Sequence, residues 1–142
     1  MLRAVNIPAR YHIASLRKEC IKGIVSKSFY KLSPDIIRHH PWCECYLSEK
    51  WISCDTLLDK ALTEGIYKKS IHTKEDIPTI DWDGENDLNT MTKWMIEDKG
   101  TLPSLDDLII EAQKEFEELP IEKDQLEMLI NQSNKYTDSI RK

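Results

Sequence analysis

The sequence predicts an α+β fold in which helices pack on an antiparallel sheet. Residues 39–47 and 51–54 have strand character and are separated by a short polar turn, which is typical of a β-hairpin. Later in the chain, apolar residues recur at helical spacing, and Ser104 with Asp107 resembles a capping box at the start of a helix. These two patterns predict strands early in the chain and helices late in it.

The first segment, residues 1–5, is predicted to be the last turns of a helix, because no capping residue precedes it. Asn6 tolerates the left-handed conformation that often follows a helix, and Pro8 prevents continuation. A strand is predicted over residues 9–15, and a short strand over residues 23–25.

After the hairpin, the pattern predicts a short helix that Asp55 or Thr56 caps and Gly65 ends. Apolar residues at helical spacing then predict a second helix that ends at Gly100. These residues are Leu88, Met91, Trp94 and Met95.

The last third of the chain carries two further amphipathic patterns. One, from residue 105 to residue 119, predicts a helix that Pro120 ends, and the other covers residues 125–136. The polar residues after this pattern are expected to be frayed. We divide the chain into a domain over residues 1–118 and a helical tail over residues 119–142.

Composition excludes several functional classes for this 142-residue chain. Charged residues make up 32% and the net charge is −5, without a sustained basic stripe, so a nucleic-acid partner is not expected. No apolar run reaches the length of a membrane span. The spacing of the four cysteines is not that of a secreted disulfide scaffold, which favours a reducing cytoplasm.

The most informative pair is His40, at the head of one predicted strand, and Asp55, at the end of the next. A tight two-residue turn between the strands would place Trp51 opposite Tyr46 and Asp55 opposite Trp42. His40 would then be a diagonal neighbour of Asp55 on the same face of the sheet. A shift of one residue in the register would separate the two side chains.

A histidine oriented by a carboxylate can take a proton from a thiol and so produce a strong nucleophile. From spacing alone, a second interpretation stays open. His40 and Asp55 would be a strand-end histidine and a helix-capping aspartate without a catalytic role. Under either interpretation, Trp42 and Tyr46 are aromatic residues of the core or its edge.

Two motifs resemble those of transglutaminase-like domains, a branch of the papain-like thiol enzymes. The first runs from Leu2 to Tyr11 and is similar to L-R-A-x-G-I-P-A-R-Y, with Asn6 in place of the glycine. The second is similar to H-x-W-x-E-x-Y followed by W-x-x-x-D, and its residues are His40, Trp42, Glu44, Tyr46, Trp51 and Asp55. Residues 77–84 also resemble a stretch found in some members, so the likeness covers residues 1–118.

The resemblance implies a papain-like α+β core and a cysteine enzyme that attacks an amide or peptide carbonyl. His40 would act as base and then acid, Asp55 would orient it, and Trp42 would border the substrate channel. The implied substrate is a protein or peptide. No cofactor is implied, and the acidic residues between Asp76 and Asp87 lack the spacing of a calcium loop.

The nucleophile is where the chain departs from the family. In the family, the catalytic cysteine begins the helix that ends in the first motif, and this position precedes residue 1. Cys43, Cys45 and Cys54 are predicted on the face opposite His40, and Cys20 lies in a polar connection. We therefore expect a chain truncated before its nucleophile, inactive by itself, that needs a missing N-terminal segment or a partner chain.

Two alternatives remain at the level of sequence. Cys43, Cys45 and Cys54 could be soft ligands of a zinc ion, although their spacing is not one of the common zinc motifs. The other is a non-catalytic protein-interaction module that uses the acidic surface and the helical part of the chain.

Overall fold

A computed structural model describes residues 2–78, 83–102 and 104–142, with the backbone alone for Phe116. The strands are β1 (Ala9–Arg17), β2 (Ile36–Leu47), β3 (Lys50–Cys54) and β4 (Met95–Leu102). The helices are α1 (Lys27–Leu32), α2 (Lys60–Lys68), α3 (Asp106–Glu117) and α4 (Lys123–Ile140). Short 3₁₀ turns cover Leu2–Val5, Lys18–Ile21 and Thr92–Trp94. The predicted α+β class is confirmed.

The strands form one antiparallel sheet in the order β3-β2-β1-β4. Ser48 and Glu49 connect β2 to β3 with φ values of 48° and 64°. Positive φ at both central residues gives a two-residue turn a backbone twist that matches the right-handed twist of the flanking strands. Tyr46 consequently pairs with Trp51, which confirms the predicted register.

The two faces of the sheet are both partly covered. Ala14 and Leu16 of β1 point toward α2 and α4, together with the buried part of Trp42. This core consists of Ala14, Leu16, Cys20, Ile24, Leu58, Leu62, Ile66, Ile77, Met91, Trp94 and Ile140. On the opposite face, Ile13 and Ile52 are buried as well. His40 pairs with Ala14, so it lies at the border of the main core.

The prediction of a helix that begins near Leu88 and ends at Gly100 is wrong. Leu88 forms an isolated parallel bridge with Cys54, and the chain then makes a 3₁₀ turn and enters β4. Leu88, Met91 and Trp94 are buried because an irregular segment inserts them into the core, and their spacing imitates a helical face. Met95 begins a strand since the free edge of β1 offers hydrogen-bonding groups there.

Two other boundaries also differ from the prediction. Asp59, not Asp55 or Thr56, caps α2, because its Oδ1 accepts a hydrogen bond from the Leu62 amide at 2.8 Å. Gly65 lies inside this helix and does not end it. The first motif begins with a 3₁₀ turn over Leu2–Val5, after which Asn6 adopts the predicted left-handed conformation with φ of 61°.

The strand predicted over residues 23–25 is a turn, which leads to Ser26, the cap of α1. The C-terminal segment is not frayed, since α4 continues to Ile140. Ser133 accepts a hydrogen bond from the Ser26 amide at 3.2 Å, and Thr137 donates one to the Ile24 carbonyl at 2.9 Å. Polar residues therefore anchor this helix to the turn. None of the helices over the described residues is long and apolar enough to cross a bilayer.

Candidate functional site

His40 and Asp55 meet on one face of the sheet, at the edge of the core. His40 belongs to β2, and Asp55 follows the last residue of β3. His40 Nε2 lies 3.1 Å from Asp55 Oδ2, which is within hydrogen-bond distance. The two residues are only 7% and 4% exposed. The hairpin thus brings together the two side chains that its predicted register places side by side.

Asp55 is held from three further directions. Its Oδ2 accepts a hydrogen bond from the Thr90 hydroxyl at 2.8 Å, and its Oδ1 faces the Leu57 amide at 3.4 Å. Its own amide donates to the Leu88 carbonyl at 2.9 Å. Thr90 is fully buried, and sequence reasoning missed it, because a single threonine in an irregular segment carries no local signal.

The surroundings of Asp55 keep its carboxyl ionised. Burial raises the pKa of Asp55, but the hydrogen bond and charge of His40, together with the Thr90 hydroxyl, outweigh burial and lower this pKa below its usual value. A carboxylate at this place favours a proton on His40 Nε2. This arrangement fixes the tautomer of the imidazole ring.

The second ring nitrogen of His40 is left for other chemistry. Within the described part of the chain, we find no hydrogen-bond partner for Nδ1. Next to the ring lies a small cleft of about 10 Å³, bordered by Thr92 and Met95 among other residues. This volume is about that of one water sphere. In the Nε2–H tautomer, Nδ1 has a free lone pair and can accept a proton.

Trp42 joins the pair to the neighbouring strand. Its indole stacks on the His12 ring with centroids 4.3 Å apart, and it lies tilted to the His40 ring at 5.8 Å. The indole N–H donates to Ser53 Oγ at 3.3 Å. Trp42 also borders the cleft beside His40. Its indole therefore limits the space that the His40 ring can occupy. Its role at a substrate channel stays a prediction.

A charged cluster extends from Trp42 across the same face. Glu44 is buried and lies 2.6 Å from Arg10 Nε and 2.8 Å from His12 Nδ1. His12 Nε2 in turn lies 2.6 Å from Asp98 Oδ1. The cluster therefore fixes the ring on which Trp42 stacks.

The thiols are poor candidates for a nucleophile that His40 activates. Cys43 and Cys54 are paired across β2 and β3 on the other face of the sheet. Burial and the neighbouring Cys45 raise the pKa of Cys54 to about 12, and burial raises that of Cys43. Cys20 is buried in the core, where burial raises its pKa to about 12. A thiol with such a pKa is almost entirely protonated at neutral pH.

The positions of the cysteines do not support the zinc site that was the alternative from sequence. The Sγ atoms of Cys45 and Cys54 lie 3.4 Å apart, and all four cysteines are free thiols. Across residues 2–78, 83–102 and 104–142, no group of three or more His, Cys, Asp or Glu side chains is arranged to hold a metal ion. A two-sulfur contact is too small a ligand set for structural zinc.

Comparison with known proteins yields no match to a family model, to a curated protein or to a solved structure. In the third stretch that resembles the family, residues 79–82 lie outside the described residues.

Proposed function

We propose that His40 and Asp55 are the base and the orienting acid of a transglutaminase-like cysteine acyl-transfer centre. A thiolate attacks an amide or peptide carbonyl, and the acyl group passes to an amine or to water. His40 removes the thiol proton and later returns a proton to the leaving amine. Asp55 stabilises the imidazolium that forms between these steps.

The observation that carries this proposal is the buried contact between His40 Nε2 and Asp55 Oδ2, at a place where both residues border a small cleft. Burial makes the electrostatic interaction between imidazolium and carboxylate stronger than it is in water. The adjacent Trp42 excludes water from one side of the pair. The proposed substrate is a protein or peptide, and the proposed compartment is the reducing cytoplasm, in which thiols stay free.

The nucleophile in this proposal is not one of the four cysteines of the chain. Cys43, Cys45 and Cys54 are on the other face, and Cys20 does not border the cleft beside His40. We propose that this chain by itself has no acyl-transfer activity. A thiol from a further segment or a partner chain would complete the centre at His40 Nδ1.

The proposal is tested by a thiol introduced beside His40. Thr92 borders the cleft and is exposed, so Thr92→Cys places a sulfur near the ring without filling the core. We expect this thiol to react with iodoacetamide at pH 7 about tenfold faster than the same thiol in a Thr92→Cys, His40→Asn double variant. Peptide mapping separates its modification from that of the native cysteines.

The matched control is Thr101→Cys, an exposed threonine of β4 that does not border the cleft. Its reactivity should not depend on His40. Equal reaction rates for Thr92→Cys with and without His40 would overturn the role of His40 as base. Formation of a thioester between the unmodified chain and p-nitrophenyl acetate would overturn the proposal that none of its own cysteines is the nucleophile.

A second candidate is a non-catalytic interaction module, which exposed aromatic residues favour. Tyr46 and Trp51 are 40% and 38% exposed, and the Arg10 guanidinium lies 4.0 Å from the Trp51 ring centre. Tyrosine, tryptophan and arginine are enriched at protein interfaces. If this candidate holds, Trp51→Ala abolishes partner binding, and His40→Asn has no effect on binding or on thiol reactivity.

A further inference from the structure

Two thiols converge on the face of the sheet opposite His40, where β2 and β3 pair. Cys45 is opposite Ile52 in the register, and Cys54, two residues further along β3, is the diagonal neighbour of Cys45. The Sγ atoms of Cys45 and Cys54 lie 3.4 Å apart. Each of these sulfurs also lies within 3.9 Å of the Ile52 carbonyl oxygen. The two strands therefore direct a pair of sulfur atoms to one point.

The diagonal placement of the two cysteines does not suit a disulfide bond. Diagonal neighbours in an antiparallel pair lie about 7 Å apart, whereas the Cβ atoms of a disulfide lie about 4 Å apart. A bond between Cys45 and Cys54 would therefore require one strand to shift. A metal ion between the sulfurs spans more, because metal–sulfur bonds of about 2.3 Å allow the sulfurs to lie up to about 4.6 Å apart. The separation of 3.4 Å lies within this limit.

The pair of thiols is sheltered on one side and open on the other. Cys45 is 3% exposed, and Ile52 beside it is buried. Cys54 is partly exposed and borders a cleft of about 250 Å³. An ion can therefore reach Cys54 from the cleft, while the apolar surroundings keep water away from Cys45.

The kind and number of ligands indicate which ion the pair can bind. Thiolates are soft ligands, which favour Cu(I), zinc and iron–sulfur clusters. Structural zinc and iron–sulfur clusters take about four ligands. In the part of the chain that the structure describes, no group of three or more His, Cys, Asp or Glu side chains is placed to hold a metal ion. Cu(I) is stable with two sulfur ligands in a nearly linear arrangement, so it is the ion that matches a pair of sulfurs.

We propose that Cys45 and Cys54 form a site for Cu(I) with two sulfur ligands. When the ion binds, both thiols release their protons to solvent, two S–Cu bonds form, and no electron is transferred. Burial and the neighbouring Cys45 raise the pKa of Cys54 to about 12, so at neutral pH only a cation that bonds strongly to sulfur displaces these protons. The site does not depend on the proposed acyl-transfer function, since His40 lies on the other face of β2.

The proposal is tested by anaerobic titration of the reduced full chain with Cu(I), in competition with the coloured chelator bicinchoninate. We expect the chain to remove one Cu(I) per molecule from the chelator. X-ray absorption of the copper-loaded chain should show two sulfur ligands at each copper and no other ligand type. Zn²⁺, titrated against a zinc-sensitive dye, should bind much more weakly, because the pair supplies only half of the ligands of a structural zinc site.

Single alanine substitutions distinguish the cysteines of this face. Cys45→Ala and Cys54→Ala should each weaken Cu(I) binding by about 100-fold or more, since even a change behind a metal ligand costs about 10- to 100-fold. The matched control is Cys43→Ala, which removes a thiol opposite Cys54 in the register and should leave Cu(I) binding unchanged. Circular dichroism establishes that each variant is folded, and the ligand count of the natural chain tests the proposal without any variant.

The proposal is overturned if the chain removes no Cu(I) from the chelator, or if X-ray absorption shows a nitrogen or oxygen ligand at the copper. It is also overturned if Cys43→Ala weakens Cu(I) binding as much as Cys54→Ala does. Zn²⁺ that binds as tightly as Cu(I) would overturn the proposed selectivity.

Discussion

Thr90 donates a hydrogen bond to Asp55 at 2.8 Å, on the same carboxylate oxygen that faces His40 Nε2. The two donors approach this oxygen from different segments, so the carboxylate cannot rotate without losing one of them. Thr90 is therefore a positioning residue for the pair of His40 and Asp55. Its complete burial means that water cannot replace its hydroxyl.

Replacement of this hydroxyl tests its contribution. Thr90→Val has nearly the same shape and leaves one bond at Asp55 Oδ2 unmade, so we expect the free energy of unfolding to fall by about 1–3 kcal/mol. Urea denaturation at pH 7 measures the change. The control is Thr101→Val on the exposed strand β4, which should change stability by less than about 0.5 kcal/mol. Equal effects of the two substitutions would mean that the Thr90 hydroxyl makes no specific contribution.

Asp55 should make stability depend on pH. Its pKa in the folded chain is lower than in the unfolded chain, so its ionised form stabilises the fold above the unfolded value of about 4. This stabilisation is lost as the pH falls through the lower, folded pKa. The stability difference between the natural chain and Asp55→Asn should therefore be largest near pH 7 and shrink below about pH 4. Urea denaturation across this range measures it, and a difference that grows in acid would contradict the assigned direction.

Gly65 shows how closely α2 and α4 approach each other. A Cβ atom added at this position would lie 1.9 Å from the Ile140 carbonyl oxygen, so one helix must move. In a helix interior, Gly→Ala normally stabilises by about 1 kcal/mol. We expect Gly65→Ala to have the opposite sign and to lower the melting temperature. Glu64→Ala, at the adjacent exposed position, is the control, and a Gly65→Ala chain that melts at a higher temperature would contradict the close packing of α4.

Thiol reactivity should be low at neutral pH. Burial raises the pKa values of Cys20 and Cys54 to about 12, so little thiolate is present at pH 7. We expect iodoacetamide to modify both residues much more slowly in the folded chain than in urea. Mass spectrometry of the digested protein measures each rate. A native cysteine with a rapid reaction that titrates near pH 7 would be an activated nucleophile, contrary to this account.

The hairpin could be predicted from sequence because its determinants are local. Strand alternation and the two-residue turn at Ser48 and Glu49 fix which residues share a face, and they placed His40 and Asp55 together. Thr90 could not be predicted in the same way, since it reaches Asp55 from 35 residues away in sequence. The hydroxyl group of Thr90 contacts Asp55 only once the chain has folded.

The second half of the chain shows the limit of periodicity. Leu88, Met91 and Trp94 are spaced as in a helix, yet an irregular segment buries them. The strand that follows, Met95–Leu102, is exposed and mostly polar, so its sequence has no alternation, and pairing with β1 determines its conformation. The docking of α4 similarly depends on hydrogen bonds to a distant turn, which a polar sequence does not reveal.

The protonation of the His40 ring tests the central claim most directly. Long-range ¹⁵N NMR of the folded chain at neutral pH distinguishes a protonated ring nitrogen from one with a free lone pair. We predict a proton on Nε2, where Asp55 accepts it, and a free lone pair on Nδ1, with this preference lost in Asp55→Ala. A ring with its proton on Nδ1, or one that does not respond to the loss of Asp55, would contradict the assignment of His40 as a base oriented by Asp55.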